Sequence, residues 1–146
     1  MFWIDEESFD LCFSYANTLD IDIYLGLELP NETTLPSFEN DRIYASVMNA
    51  DDEEVFGKIY PIVAEETNEG TAYKWTLRLN HEESGSILPG DYTWDFTYYK
   101  DAVISEGRII GGSVVDTPFC EKAKAMFKVQ ATNSTQKPKP AEEPEV

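Results

Sequence analysis

Carboxylates are the side chains with which this chain could most readily do chemistry, because 28 of its 146 residues are Asp or Glu. The run at residues 51–54 offers oxygen ligands to calcium, which takes six to eight of them. Its spacing does not match an EF-hand loop, since Val55 follows directly, and a solvated hairpin tip is the favoured interpretation. Asp20 and Asp22, two residues apart, could instead share a cation with the acidic segment 5–7.

Signals for catalysis are weak. His81 is the only histidine, so no second imidazole can complete a zinc site, and we interpret it as a solvated side chain. A carboxylate pair for glycoside hydrolysis would arise by chance among so many acids. No GxSxG, P-loop or GxGxxG segment is present, and Gly111 and Gly112 are interpreted as permitting a bend. We predict no catalytic residue, no metal ligand, no cofactor and no enzymatic activity.

Exposed aromatic rings are a third candidate, because they can stack on sugars. Tyr60, Tyr98 and Tyr99 are the tyrosines considered for this role. Adjacent residues on a strand face opposite ways, so only one of Tyr98 and Tyr99 can lie in a core. The other is expected to be exposed or to cover an interface. We favour interface or edge cover over sugar binding, and both interpretations stay open.

Strands must position these groups, and the most clearly predicted strand follows the Pro-Gly turn at residues 89–90. Aromatic side chains alternate there with polar ones, the two sets being Tyr92, Trp94, Phe96 and Tyr98, and Thr93, Asp95 and Thr97. Side chains of a strand alternate between its faces. The alternation therefore predicts one aromatic face against a core and one polar face toward water.

Similar alternation predicts further strands at residues 9–15, 19–25, 42–48, 55–58, 72–80, 102–110, 114–115 and 125–130. Residues 59–64 are predicted to continue past Pro61 as an edge strand or bulge. The predicted connections are a long loop at 26–41, turns at 49–54, 65–70 and Lys100-Asp101, a loop at 81–85, a bulge at Gly107, and a loop or one helical turn at 118–124.

Seven to nine short strands with turns every eight to twelve residues predict an all-β fold, an Ig-like antiparallel β-sandwich. Trp75 and Trp94 are expected to pair across its core. The length suits one domain over residues 1–130. Residues 131–146 carry three prolines and no large apolar residue except Val146, which predicts a disordered or extended tail.

Two cysteines are too few to define a disulfide framework. Cys12 and Cys120 could bridge if the fold brings them close, but two buried free thiols are the favoured interpretation. The first residues lack a basic stretch and a long apolar run, so we expect no signal peptide and no membrane span. The glycosylation patterns at Asn31 and Asn133 are interpreted as accidental.

The formal net charge of −17 is unevenly placed. Residues 1–70 hold 17 acidic and 2 basic side chains, giving −15, while residues 71–146 hold 11 and 9, giving −2. Such a surface repels phosphate backbones and anionic lipids, so we predict no nucleic-acid partner and no membrane partner. A solvated acidic face is the favoured interpretation, with a surface for a basic partner as the alternative.

One pattern goes beyond composition. A turn at residues 15–18 leads into the alternating strand 19–25, and Leu88-Pro89-Gly90-Asp91-Tyr92 is followed by Asp95-Phe96. This pattern resembles the Ig-like β-sandwich domains of tailed-phage virion proteins, especially the N-terminal domain of baseplate upper proteins. In those domains the segment that corresponds to the second of these two patterns reads L-P-A-G-x-Y-x-x-D-I. The resemblance extends over about residues 9–130.

The resemblance implies a non-enzymatic bacteriophage virion structural protein that acts by protein–protein docking. Its place would be the tail, baseplate, neck or capsid surface, after synthesis in the host cytoplasm. Its partners would be other virion proteins or copies of itself in a homo-oligomer. The alternative from the residues themselves is a carbohydrate-binding or adhesin module.

Overall fold

The computed structural model describes residues 2–5, 8–25, 38–68, 70–115 and 124–131. These residues form ten strands and two short helices. The strands are β1 (Phe2–Ile4), β2 (Leu11–Ser14), β3 (Leu19–Tyr24), β4 (Arg42–Met48), β5 (Glu54–Pro61), β6 (Val63–Thr67), β7 (Gly70–Leu79), β8 (Gly90–Ser105), β9 (Arg108–Val115) and β10 (Ala125–Gln130). Phe38–Asn40 is a 3-10 helix, and α1 spans His81–Gly85.

The strands form two sheets packed face to face, which confirms the predicted all-β sandwich. Six strands of the seven-stranded sheet follow the order β1-β2-β10-β8-β4-β5. The seventh strand, β9, pairs with β8 and lies outside this order. The three-stranded sheet has the order β3-β7-β6. Neighbouring strands are antiparallel except for β2 and β10, which are parallel.

Ten strands exceed the predicted seven to nine. β1 was not predicted, and the strand predicted to continue past Pro61 is divided between the two sheets. β5 ends at Pro61, which has no N–H to continue a ladder. Ile62 is buried at the crossing, and β6 begins at Val63 in the other sheet. The predicted turn at 65–70 is therefore too long, since residues up to Thr67 pair with β7.

Aromatic rings from both sheets fill the core. Trp75 of the three-stranded sheet and Trp94 of the seven-stranded sheet are both fully buried. The ring centre of Phe96 lies 5.0 Å from that of Trp75 and 6.3 Å from that of Trp94. Phe96 thus connects the two tryptophans that the sequence predicts to pair across the core.

The predicted tight turn at Lys100 and Asp101 is wrong. β8 continues through these residues to Ser105, and the chain reverses at Glu106 and Gly107, whose φ angles are 52° and 76°. Two consecutive positive φ angles are typical of the hairpin turn whose twist matches that of the strands. Asp101, with φ of 51°, instead lies where the β8–β9 register shifts, so the local turn signal marks a bulge. Gly107 lies in the turn and not at a bulge.

Two further local predictions need correction. The segment predicted as a loop at 81–85 is a short helix, because Asn80 and Glu83 form a reciprocal capping box. The Glu83 N–H donates to Asn80 Oδ1 at 2.8 Å, and the Asn80 N–H donates to Glu83 Oε1 at 2.9 Å. Phe9 does not belong to a strand from 9 to 15, since its φ is 59° and β2 begins at Leu11.

Several predictions concern residues outside the described ones. These are most of the 26–41 loop, residues 118–123, Cys120, both glycosylation patterns and all but the first residue of the tail. The Cys12 thiol is buried and free. Among the described residues, no helix is long and apolar enough to cross a membrane.

We expect Trp94→Ala to lower the free energy of unfolding by about 3–5 kcal/mol, because it leaves a cavity beside Phe96 and Phe127. The matched control is Tyr24→Ala, which truncates a ring that is 54% exposed and should cost less than about 1 kcal/mol. Urea unfolding followed by circular dichroism measures both. Equal losses would contradict this description of the core.

Candidate functional site

A buried carboxylate fixes the point where β8 leaves the body of the sandwich. Asp41 is 0% exposed. Its Oδ2 accepts a hydrogen bond from Tyr98 Oη at 2.5 Å, and its Oδ1 accepts one from the Asp101 N–H at 2.9 Å. Lys100 Nζ lies 3.7 Å from Oδ2 and supplies the opposite charge. Burial, followed by the Asp41 hydrogen bond, raises the pKa of Tyr98.

Beyond this anchor, residues 100–115 form a β-hairpin that we call the arm. Four of the eight large apolar side chains exposed among the described residues lie on it, namely Val103, Ile104, Ile110 and Val114. Ile110 is 66% exposed and Val114 is 63% exposed. β9 pairs with β8 on one side, and no described strand pairs with its other side. Within the described part of the chain, the arm therefore presents an unpaired backbone edge with apolar side chains.

Other outer strands of the sandwich carry features that discourage pairing with another chain. β5 ends in Pro61, β3 has Asp20 and Asp22 on its exposed face, and β6 contains Glu65 and Glu66. Charges and proline at an edge are common protections against edge-to-edge association. β9 has one charged residue, Arg108, and no proline. It is the least protected long edge in the described part of the chain.

A groove of about 490 Å³ lies between the tip of the arm and the outer face of β4 and β5. Its lining includes Tyr44, Glu54, Tyr99, Arg108 and Ile109. Ile43 and Tyr98, the sequence neighbours of the two tyrosines, face the core. Alternation along a strand therefore turns Tyr44 and Tyr99 outward. The groove combines two half-buried aromatic rings with a carboxylate and a guanidinium.

Hydrogen bonds hold the floor of the groove. Tyr44 Oη donates to Glu54 Oε1 at 2.6 Å, and Ser46 Oγ donates to Glu54 Oε2 at 3.0 Å. A methyl group at Gly57 would overlap the Tyr44 hydroxyl and the Glu54 carboxylate, so only glycine leaves room for this arrangement. Burial raises the pKa of Tyr44 to about 12, and the Glu54 hydrogen bond adds to the effect.

Side chains of β7 engage the two aspartates of β3 that the sequence offers to a cation, while Glu6 and Glu7 lie outside the described residues. Asp22 Oδ1 accepts a hydrogen bond from Thr76 at 2.8 Å, and its Oδ2 lies 3.1 Å from Lys74 Nζ. The Thr76 hydrogen bond is the main cause that lowers the pKa of Asp22. Asp20 lies 3.4 Å from Arg78. Both carboxylates are thus engaged with β7, and the described residues contain no group of three or more potential metal ligands.

The acidic run at 51–54 lies at a hairpin turn, as the favoured interpretation has it. Asn49 Oδ1 accepts hydrogen bonds from the Asp51 N–H at 2.9 Å and the Glu53 N–H at 3.0 Å. Glu54 begins β5 and reaches into the groove instead. The run is therefore divided between a turn and the groove.

The remaining candidates are placed as follows. His81 is exposed at the start of α1, with its Nδ1 2.7 Å from the Ala16 carbonyl oxygen. The prediction that Tyr60 is an exposed ring is wrong, since it is 4% exposed and its ring centre lies 5.0 Å from that of Trp75. It cannot stack on a sugar. Tyr98 is buried and Tyr99 is partly exposed, which agrees with the expected division.

The sequence analysis missed Tyr44, Gly57 and Arg108 as groove residues. A signal for Tyr44 was available, because the apolar residues at 43, 45 and 47 face inward and leave it on the outer face. No sequence signal indicates that Gly57 and Arg108 line the groove, because their positions there depend on how the arm folds over a strand distant in the sequence. The chain matches no protein-family model, no curated protein and no solved structure.

We expect Glu54→Gln to lower the pKa of Tyr44 from about 12 toward the ordinary 10.0, since it removes the negative charge beside the phenol. The folded state holds this proton more tightly than the unfolded state does. The stability it contributes is therefore present below pH 10.0 and is lost as pH rises through about 12. The variant should lose less stability over that interval.

Carbon-13 NMR of labelled tyrosine Cζ, followed against pH, measures this pKa. Tyr44→Phe assigns the signal. Glu53→Gln is the control, because Glu53 is exposed at the hairpin turn and should leave the Tyr44 pKa unchanged. The same pKa in Glu54→Gln and the native chain would contradict the described hydrogen bond.

Proposed function

We propose that this chain is a non-enzymatic structural subunit of a tailed-phage virion and that it acts by docking with neighbouring virion proteins. The phage assignment rests on the resemblance of residues 15–25 and 86–96 to Ig-like domains of baseplate upper proteins. The docking role rests on the arm. The tail, baseplate, neck and capsid surface are all compatible locations.

The observation that carries the proposal is the free edge of β9. An extended segment of a neighbouring subunit can add to such an edge as a further strand, using its backbone hydrogen bonds for affinity. Ile110 and Val114 add exposed apolar area to the same strand. Pairing of β9 with β8 keeps this edge ordered, which reduces the entropy lost on binding.

Charge also favours the arm as the point of contact. Residues 100–115 hold Lys100, Asp101, Glu106 and Arg108, whose charges cancel. Residues 1–70 carry −15. Repulsion between like-charged surfaces opposes association elsewhere, so an acidic neighbour, including another copy of the chain, approaches most easily at the neutral arm.

Carbohydrate binding is the second candidate, and the groove is the observation that favours it. Tyr60, one of the rings proposed for that role, is buried in the core. Tyr99 remains, together with Tyr44 on the neighbouring strand. Sugar binding gives no role to the exposed aliphatic side chains of β9, whereas docking does, and docking is therefore the better supported function.

Gradient-purified virus particles test the proposal. We expect mass spectrometry to find the native chain in particles at a fixed copy number. The double substitution Ile110→Lys and Val114→Lys places charges on the free edge of β9 and should lower incorporation at least tenfold. The control is Val63→Lys, which adds a charge at a residue 47% exposed on β6 and should incorporate normally.

Two results would count against the proposal. Absence of the native chain from particles would remove the virion role. Normal incorporation of the double variant would remove the β9 edge as the docking surface. Circular dichroism on each purified variant checks that it retains the β fold.

A further inference from the structure

We infer that the groove between the arm and the outer face of β4 and β5 binds a neutral oligosaccharide. Its hexose rings stack on Tyr44 and Tyr99. Its hydroxyl groups form hydrogen bonds with Glu54 and Arg108. This inference goes beyond the proposed docking function, because it gives the chain a second binding activity on a surface other than the edge of β9.

Tyr44 and Tyr99 form an aromatic surface along the groove. Tyr44 pairs with Thr97 and Tyr99 pairs with Arg42, so the two tyrosines are diagonal neighbours on adjacent strands. Diagonal neighbours on one face lie about 7–8 Å apart, within reach of aromatic side chains. The C–H groups on one side of a hexose ring carry a slight positive charge and pack against the negative face of an aromatic ring. Successive sugar units can therefore contact the two phenols.

Glu54 and Arg108 are complementary to the hydroxyl groups of a sugar. A carboxylate only accepts hydrogen bonds and a guanidinium only donates them, whereas a hydroxyl group does both. Burial and the Glu54 hydrogen bond raise the pKa of Tyr44, and the positive charge of Arg108 opposes this rise, so both side chains lie near the same phenol. Neighbouring hydroxyl groups of one hexose can therefore donate to Glu54 and accept from Arg108.

Both groups have capacity for a ligand. Each Glu54 oxygen accepts one hydrogen bond within the chain, from Tyr44 or from Ser46, and a carboxylate can accept about four. The two bonds hold the carboxylate in place, which reduces the entropy lost on binding. No salt bridge between described residues includes Arg108, although the chain has a formal net charge of −17. Its N–H donors can therefore bind a ligand.

The charges of the groove cancel, which favours a neutral ligand. Its charged lining residues are Glu54, Lys58 and Arg108. Lys58 Nζ lies 2.7 Å from Glu83 Oε2 in a salt bridge, and the two other side chains have opposite signs. An anion would approach a chain with a net charge of −17, and a cation would meet the guanidinium. We therefore expect a sugar without carboxylate or amino groups.

The position of β4 disfavours a peptide as the occupant. β4 pairs with β5 on one side and with β8 on the other. Its backbone groups are used within the sheet, so an extended peptide cannot add there as a further strand. Among the lining residues only Ile59 and Ile109 are aliphatic. The volume of about 490 Å³ lies within the usual range of small-molecule sites, about 300–1,000 Å³, and suits a short oligosaccharide.

Isothermal titration calorimetry of the full chain with tetrasaccharides tests the inference. The probes are the neutral β-linked tetramers of glucose, galactose and mannose, and the acidic control is the tetramer of galacturonic acid. We expect saturable binding of at least one neutral tetramer and at least tenfold weaker binding of the acidic one. Tyr99→Ala should weaken binding of the neutral tetramer at least tenfold, whereas Tyr99→Phe keeps the ring and should bind as the native chain does.

Two further variants locate the sugar and control for folding. Arg108→Gln removes the cation at an exposed position next to the hairpin turn and should weaken binding at least fivefold, which provides a second measurement if Tyr99→Ala fails to fold. Tyr24→Ala removes an exposed ring from the other sheet and should leave binding unchanged. In carbon-13 NMR, the sugar should shift the Cζ signals of Tyr44 and Tyr99 and not that of Tyr24. Circular dichroism establishes that each variant is folded.

The outcomes separate the groove from the alternatives. Absence of saturable binding by all three neutral tetramers would overturn the inference. Binding that stays unchanged in both Tyr99→Ala and Arg108→Gln would place the sugar elsewhere and also overturn it. Equal or tighter binding of the acidic tetramer would overturn the choice of a neutral ligand.

Failure of this inference can be told from failure of the proposed function, since calorimetry needs no virus particle. The β9 double variant Ile110→Lys and Val114→Lys leaves the groove tyrosines in place and should bind the sugar normally. A chain that is incorporated into particles but binds none of the neutral tetramers would keep the docking role and lose the assignment of the groove.

Discussion

The buried carboxylate of Asp41 is the interaction on which the surface features of this sandwich depend. It receives hydrogen bonds from a side chain facing the core, Tyr98, and from the backbone of the bulge at Asp101. Leaving either donor unsatisfied away from water would be costly, and a bond to a charged acceptor is stronger than one between neutral groups. The carboxylate thus ties the aromatic core to the start of the arm. The direction of the arm in turn creates both the free edge and the groove.

The two surfaces share elements but differ in kind. The edge of β9 offers backbone groups and aliphatic side chains, which suit an added strand. The groove offers two phenol rings beside charged side chains of both signs.

Sequence patterns predicted most of the strands, because burial alternates with a period of two along β3, β7 and β8. These patterns failed where the same local sequence is compatible with two backbone conformations. Lys100 and Asp101 look like a turn but form a bulge, and that choice is set by Asp41, about sixty residues away. The helix α1 is too short to show a period, although its capping box is legible in the sequence.

The groove was harder to predict than the fold. Tyr44 could be assigned to the outer face from its apolar neighbours, but its hydrogen bond to Glu54 crosses to another strand. Gly57 carries no local signal, since its role is to leave space for a side chain of that strand. Tyr60 lies in the core because it pairs with Ile43 and shares its inward face, a pairing that the sequence does not reveal. Such features require knowledge of which strands are neighbours.

The position of β10 has a consequence for how the chain is made. This strand comes late in the sequence, yet it lies between β2 and β8 in the larger sheet, and the Met126 N–H donates to Asp10 at 2.8 Å. Until the ribosome has released residues 125–130, two interior strands have exposed backbone edges. Closing the sheet joins segments more than a hundred residues apart, a kind of contact that forms slowly. Nascent chains are therefore exposed to aggregation, and to rescue by chaperones, until this strand has left the ribosome and paired.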